Sequence, residues 1–244
     1  MEVEESSYVA VKLLCSLKEV YTFKELEELL GIPAQALWRY TSFSHFPERQ
    51  TSRRIIEAIR SQSLVEKALQ KALLGKQGVF EEWRLLFNPR VLNLIGYLAW
   101  RKLSDREVDL VLTYPERNAA IAAVLAEWLS AGVCIASERG RVSWGRLLTS
   151  QYLSSERGEI VYVHAPKDAL EKDSKVLIVE SVTASLEPLS ALLSLVEQAK
   201  AHLSAVLVVL ALSDGWVKTA EKLGVLNKVH VLMAKTPEGV KVLP

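Results

Sequence analysis

Two cysteines, two methionines and four histidines are scattered through 244 residues. Cys15 and Cys134 stand far apart in apolar surroundings, which suits buried thiols and excludes a disulfide framework or a thiolate metal site. His45, His164, His202 and His230 have no ligand spacing, so no metal site and no cofactor are expected. Net charge is only +1, so the chain as a whole does not attract polyanions. Contact with nucleic acid would have to come from a local patch. The longest apolar runs, such as 203–212, fall well short of the ~20 residues that cross a bilayer. The first five residues carry three glutamates and do not form a signal peptide. A cytoplasmic protein with no membrane partner is expected. Scarce Asn, Cys and Met fit a hot habitat.

What is present is a large apolar fraction, 50% of residues, enough for one large or two small domains. Residues 8–60 read as helical. Val9, Leu13, Leu14 and Leu17 share one face. Thr22-Phe-Lys-Glu25 has the form of a capping box. The helix it opens points Phe23, Leu26 and Leu30 inward and stops at Gly31. Pro33 suits the first turn of the next helix, which carries Leu37, Trp38 and Tyr40. Ile55, Ile56 and Ile59 mark a further helix. Residues 61–105 continue as a helical connector, with Gly75-Lys-Gln-Gly78 as the natural linker and a strongly apolar helix over 91–99.

From Asp109 onward strands alternate with helices: strands over 108–112, 133–136, 160–163, 176–179, 205–212 and 228–232, with a helix over 119–130. That alternation predicts a mostly parallel α/β sheet. Residues 139–158 carry four arginines and read as a polar excursion.

Helix, glycine-containing turn, helix is the pattern of a helix-turn-helix, with Gly31 in the turn. Charge segregates across it. Residues 31–62 hold five arginines against Glu48 and Glu57, or 5 − 2 = +3, whereas residues 1–30 hold three lysines against seven glutamates, or 3 − 7 = −4. A positive second half suits phosphate contacts, although a solvated charged face has the same composition. Gln35 and Arg39 share a helix face. Trp38, Ser42, Arg49, Arg53 and Arg54 complete the candidate DNA-binding residues. The segment from Gly31 to Tyr40 resembles the recognition helix of helix-turn-helix regulators. Phe46-Pro47 and Arg53-Arg54-Ile55-Ile56 resemble the continuation found where such motifs precede archaeal phosphoribosyltransferase-like domains.

The most informative stretch runs from Lys175 to Pro188: four apolar residues, Glu180, a short turn, then an apolar-periodic segment. It resembles the PRPP-binding motif of type I phosphoribosyltransferases. The resemblance extends over 79–235, on the segments from Trp83 to Leu92, Asp109 to Pro115, and Ile160 to Leu170, and leans to the orotate phosphoribosyltransferase branch. It implies a type I phosphoribosyltransferase-like mostly parallel sheet flanked by helices, here preceded by an all-α helix-turn-helix domain.

The chemistry that the resemblance implies is altered residue by residue. The loop comprises Glu180, Ser181, Thr183, Ala184, Ser185, Leu186 and Glu187. One acid survives as Glu180, but Ser181 stands where the family has a second. Leu186 and Glu187 stand where it has glycines. Ser137 and Glu138 replace a basic pair, and Pro115-Glu-Arg-Asn118 lacks the pyrophosphate-loop glycines. A phosphate held by a nest of amides needs the tight path that glycine permits. Leu186 is expected to fill that room. A carboxylate about 4 Å from a phosphate repels it by roughly 4 kcal/mol at surface-like dielectric.

The expected organisation is a helix-turn-helix domain over 1–62, a helical linker over 63–78 and a phosphoribosyltransferase-like domain over 79–244. The expected function is a DNA-binding transcription regulator, with double-stranded DNA as partner and a catalytically inactive homodimeric domain. Thr183 and Ser185 can still donate to a nucleotide or small phosphate ligand. The helix over 91–100 and the surface around Trp144 are the expected dimer surfaces. Two alternatives stay open: a divergent phosphoribosyltransferase using Glu180 at the ribose hydroxyls, and an assembly module that binds no DNA.

Overall fold

The computed structural model describes residues 6–74, 81–237 and 239–243. The linker at Gly75 to Gly78 lies outside them. By packing, the chain divides into two units, Met1–Ile95 and Gly96–Pro244. The segments 1–62 and 63–78 both fall in the first. Among the described residues no helix is long and apolar enough to cross a membrane.

The first unit is helical. In α1 (Ser7–Leu17) the Ser6 hydroxyl caps the first turn by accepting from the Val9 amide at 3.2 Å. The capping box of α2 (Phe23–Leu30) is present, and Gly31 closes that helix in the left-handed region at φ +64°. A chiral residue would be strained there; glycine is not. Helix α3 (Ala34–Thr41) buries Leu37, and α4 (Arg49–Ser61) buries Ile55, Ile56 and Ile59. Each such side chain contributes about 1.5–3 kcal/mol on burial. Helices α5 (Leu64–Leu73) and α6 (Glu82–Leu86) follow. The start of α7 (Pro89–Lys102) is fixed to α1 by Asn93, whose amide donates to Ser16 Oγ at 2.7 Å and to the Lys12 carbonyl at 3.2 Å. Residues 91–99 of α7 are all buried within the chain. Their apolarity is explained by internal packing, which corrects the expectation that this helix offers a dimer surface.

In the second unit a six-stranded sheet is ordered β2-β1-β5-β6-β7-β8. The strands are β1 (Leu110–Thr113), β2 (Gly132–Ile135), β5 (Lys175–Thr183), β6 (His202–Ala211), β7 (Val229–Thr236) and β8 (Gly239–Val242). All pairs are parallel except β7–β8. Strands β1, β5 and β6 read as apolar runs because they are buried, as parallel strands covered on both faces are. Helices α8 (Ala119–Leu129), α9 (Leu189–Ala199) and α10 (Gly215–Lys222) form the connections.

Two strands were not foreseen. Residues 139–158 are not a polar excursion throughout: they contain β3 (Leu147–Ser154), paired antiparallel with β4 (Glu159–Pro166) in a separate two-stranded sheet. One face of β3 is solvated, so its alternating pattern is mostly polar and conceals the strand. The antiparallel strand β8 was also missed.

Candidate functional site

Two places carry the nominated residues. The first is the α2–α3 pair and the helix after it. Gln35, Trp38, Arg39 and Ser42 all lie on the solvent side of α3, opposite buried Leu37. Their spacing of three and four residues makes one face. Arg49, Arg53 and Arg54 are exposed on α4. Tyr40 is half-buried and stacks on His45 with ring centroids 6.5 Å apart. The arrangement offers amide and guanidinium donors on a rigid helix, which is the chemistry that reads base edges and phosphates.

The second place is the crevice outside the carboxyl ends of β1 and β5. The chain leaves β1 to one side for β2, and β5 lies on the other. Open α/β sheets form ligand crevices at such switch points. A residue not nominated from the sequence links the two strand ends. Asn118 is fully buried and donates to the Tyr114 carbonyl at 3.0 Å and to Glu180 Oε1 at 3.2 Å. Its own oxygen accepts from Ser181 Oγ at 2.5 Å. Glu180 and Ser181 are themselves buried. The signal for Asn118 lay in Pro115-Glu-Arg-Asn118, notable in sequence only for lacking glycine.

The loop beyond β5 closes on itself. Thr183 Oγ1 accepts from the Leu186 amide at 2.9 Å and from the Ser185 amide at 3.3 Å, a side-chain-closed turn. Leu186 adopts φ +56°. It therefore follows a left-handed path of the kind glycine takes, at about 1–2 kcal/mol. The expectation that its side chain fills the loop is corrected: it is buried in the core cluster that also holds Leu148, Val163 and Leu189. Burial of a leucine, about 1.5–3 kcal/mol, offsets the backbone strain. The Ala184 carbonyl accepts from Ser213 Oγ at 3.0 Å, and that of Ser185 from Thr219 Oγ1 at 2.5 Å. Gly215 lies so close that a Cβ there would stand 2.7 Å from the Ala184 carbonyl oxygen. Glu187 accepts from the Ser155 amide at 3.0 Å, in the turn of the β3–β4 hairpin.

The Ser137–Glu138 pair has partners in the same hairpin. Ser137 is buried, its hydroxyl donates to the Glu116 carboxylate, and its backbone pairs with His164. Glu138 accepts from Tyr114 Oη at 2.7 Å and from both terminal nitrogens of Arg157 at 2.9 Å. Arg157 and Tyr114 together hold the Glu138 carboxyl below its usual range. Burial, with Tyr152 and Glu138 beside it, pushes the Tyr114 phenol up. The arginine that pairs with Glu138 comes from the hairpin turn rather than from the adjacent Arg139.

Elsewhere, Cys134 is a buried thiol pushed up to about 12 by desolvation. Among the described residues no three His, Cys, Asp or Glu side chains are grouped as metal ligands would be.

No protein-family model matches the chain. The purine biosynthesis transcriptional repressor PurR of Bacillus subtilis is 23% identical over 122 residues, 50% of this chain and 43% of the repressor. The chain therefore spans less than half of that relative's length. Adenine phosphoribosyltransferase of Cutibacterium acnes is 34% identical over 129 residues, 51% of this chain and 71% of that enzyme. The crystal structure of adenine phosphoribosyltransferase from Rhodothermus marinus superposes with a TM-score of 0.58 at 19% identity, over 70% of this chain and 99% of that one. The two phosphoribosyltransferases carry adenine in their names, where the sequence motifs leaned toward the orotate branch. Identity of this degree over most of an enzyme's length establishes descent, and the chain belongs to the adenine phosphoribosyltransferase family, with the fold of a type I phosphoribosyltransferase.

Proposed function

We propose that the chain is a DNA-binding transcription regulator whose phosphoribosyltransferase-like domain serves dimerisation and ligand sensing rather than catalysis. The observation that carries the reading is α3. It follows a left-handed glycine turn and turns Gln35, Trp38, Arg39 and Ser42 to solvent, and α4 exposes Arg49, Arg53 and Arg54. Similarity to a repressor across half of the chain supports it. A homodimer suits the reading, because paired half-sites need paired readers.

Loss of catalysis is part of the proposal. Ser185 and Leu186 direct their amides to Thr183, Glu187 adds a carboxylate to the loop, and Glu138 holds the nearby Arg157. A nucleotide or small phosphate that entered the crevice would have to displace these contacts. Ligand binding and a change in the hairpin would thereby be linked.

A second reading keeps one observation in its favour. Glu180 remains at the end of β5, and the chain shares 34% identity with a named adenine phosphoribosyltransferase. That reading is an active enzyme using PRPP and adenine.

The test is a gel shift of the full chain on its own upstream DNA, with and without nucleotides, beside a turnover assay with PRPP and adenine or orotate. A retarded complex without turnover is expected, together with a dimer by light scattering. Turnover abolished by Glu180→Gln would establish the enzyme. No retardation of upstream or random duplex at low salt would end the regulator reading.

A further inference from the structure

Three aromatic side chains are exposed on α3 and in the loop that follows it. Trp38 is 54% exposed, Phe43 64% and Phe46 49%. The rings of Phe43 and Phe46 lie 6.3 Å apart, tilted to each other. An exposed aromatic cluster on a small helical unit is a feature that marks interaction surfaces.

The loop that presents them is tightly fixed. Four donors converge on the Arg39 carbonyl: the Ser44 and His45 amides at 3.1 and 3.3 Å, and the Ser42 and Ser44 hydroxyls at 3.2 and 3.1 Å. The Ser52 hydroxyl holds the Pro47 carbonyl at 3.2 Å, and Pro47 is buried. Within this frame Phe43 takes φ +57°. A bulky residue in the left-handed region is strained, and the strain usually accompanies a functional constraint. Leu186 has the same backbone strain, but there core burial compensates. Phe43 gains no such burial. Its frame holds an apolar ring out in water.

The surroundings decide among occupants. In sequence the pair is flanked by Arg39 and by Glu48 and Arg49, in a segment (31–62) whose net charge is +3. A two-fold contact with a second copy through this patch would set arginines against arginines, which disfavours it. A duplex presents phosphates to the arginines and apolar base-pair steps to the rings, and side chains such as Phe enter such steps by partial unstacking.

Building on the DNA-binding reading above, we propose that Phe43 and Phe46 form a wedge that presses between base pairs at the edge of the site read by α3. The wedge would add affinity without adding phosphate contacts, and it would favour flexible pyrimidine–purine steps.

The test uses the full chain and duplexes of its upstream DNA, with 2-aminopurine placed at successive steps. Wild type should raise the fluorescence at one step beside the α3 contacts. Phe43→Gly keeps the left-handed path and removes the ring, so the fold should survive, as a thermal melt would verify. Combined with Phe46→Ala, it should abolish that signal and weaken binding about tenfold, on the scale of one lost stacking contact. The slope of affinity against salt should stay unchanged, because no phosphate contact is removed. If the double variant binds and unstacks DNA as wild type does, the wedge is refuted while the DNA-binding reading stands. If it instead converts a dimer to a monomer and leaves the fluorescence unchanged, the rings serve a second copy and the wedge is equally refuted. Wild type that binds no duplex removes both readings together.

Discussion

Arg157 meets Glu138 with both terminal guanidinium nitrogens, each 2.9 Å from a carboxylate oxygen. The pair joins the hairpin turn to the segment after β2, and Tyr114 adds a third donor to the same carboxylate at 2.7 Å. A neutralised arginine over the crevice differs from one available to a phosphate, so this contact bears on both stability and ligand entry.

Glu138 has a carboxyl lowered from 4.5 by Arg157 and Tyr114. A group depressed in the folded state stabilises above its unfolded value and ceases to do so as pH falls through its folded value. Both partners are substantially exposed, so solvent screening keeps the effect small. Glu138→Gln should therefore lower the melting temperature slightly at pH 7, and the difference from wild type should vanish as pH drops well below 4.5. A gap that widens in acid would show that another group is responsible.

Leu186 combines a strained backbone with a buried side chain. Leu186→Gly should relieve about 1 kcal/mol of backbone strain and lose about 2–5 kcal/mol of core packing. A net destabilisation of a few kcal/mol is expected in urea unfolding. Pairing it with Glu187→Gly should not create turnover of PRPP, because Ser181 and Glu138 are unchanged. A stabilised Leu186→Gly variant would mean that the side chain contributes little to the core.

Gly96 lies against the indole of Trp128, which in turn packs on Tyr97 and Trp100 with ring centroids 5.7 Å away in each case. No room exists for a Cβ. Gly96→Ala should destabilise by about 1–3 kcal/mol through overpacking, despite the better helix propensity of alanine. Calorimetry and near-ultraviolet dichroism of the tryptophans would report it. An unchanged melt would require Trp128 to move without cost.

The proposed DNA-binding reading predicts two classes of contact on α3 and α4 that an assay separates. Gln35→Ala or Arg39→Ala should cost about 1–3 kcal/mol of DNA binding and relax sequence preference. Arg53→Ala or Arg54→Ala should weaken binding evenly across sequences and flatten the salt slope. Fluorescence anisotropy on matched and scrambled duplexes at several salt concentrations distinguishes them. Equal loss from all four substitutions with no change in preference would assign α3 to the backbone.

What the sequence determined was local. Thr22 and Glu25 form their capping box, Gly31 stops α2 in the left-handed region, and the apolar runs of β1, β5 and β6 form a parallel sheet. These signals act over a few residues, through backbone sterics, helix ends and period, so they are legible without a partner. Ser181, Leu186, Glu187, Ser137 and Glu138 could be nominated from the resemblance alone. Their surroundings could not. Asn118 joins Glu180 and Ser181 across 62 and 63 residues of chain. That meeting depends on β1 lying next to β5, which sheet order sets and composition does not. A strand at 160–163 was legible, but its partner β3 was not, because the solvated face of β3 is polar; with the hairpin went the partner of Glu138. Residues 91–99 were correctly apolar, yet apolarity is the same for a core and an interface, and only the packed chain decided between them. Leu186 was expected to fill the loop because a sequence gives the side chain's size but not its direction. In the fold the core receives it, since burial returns more free energy than the left-handed backbone costs.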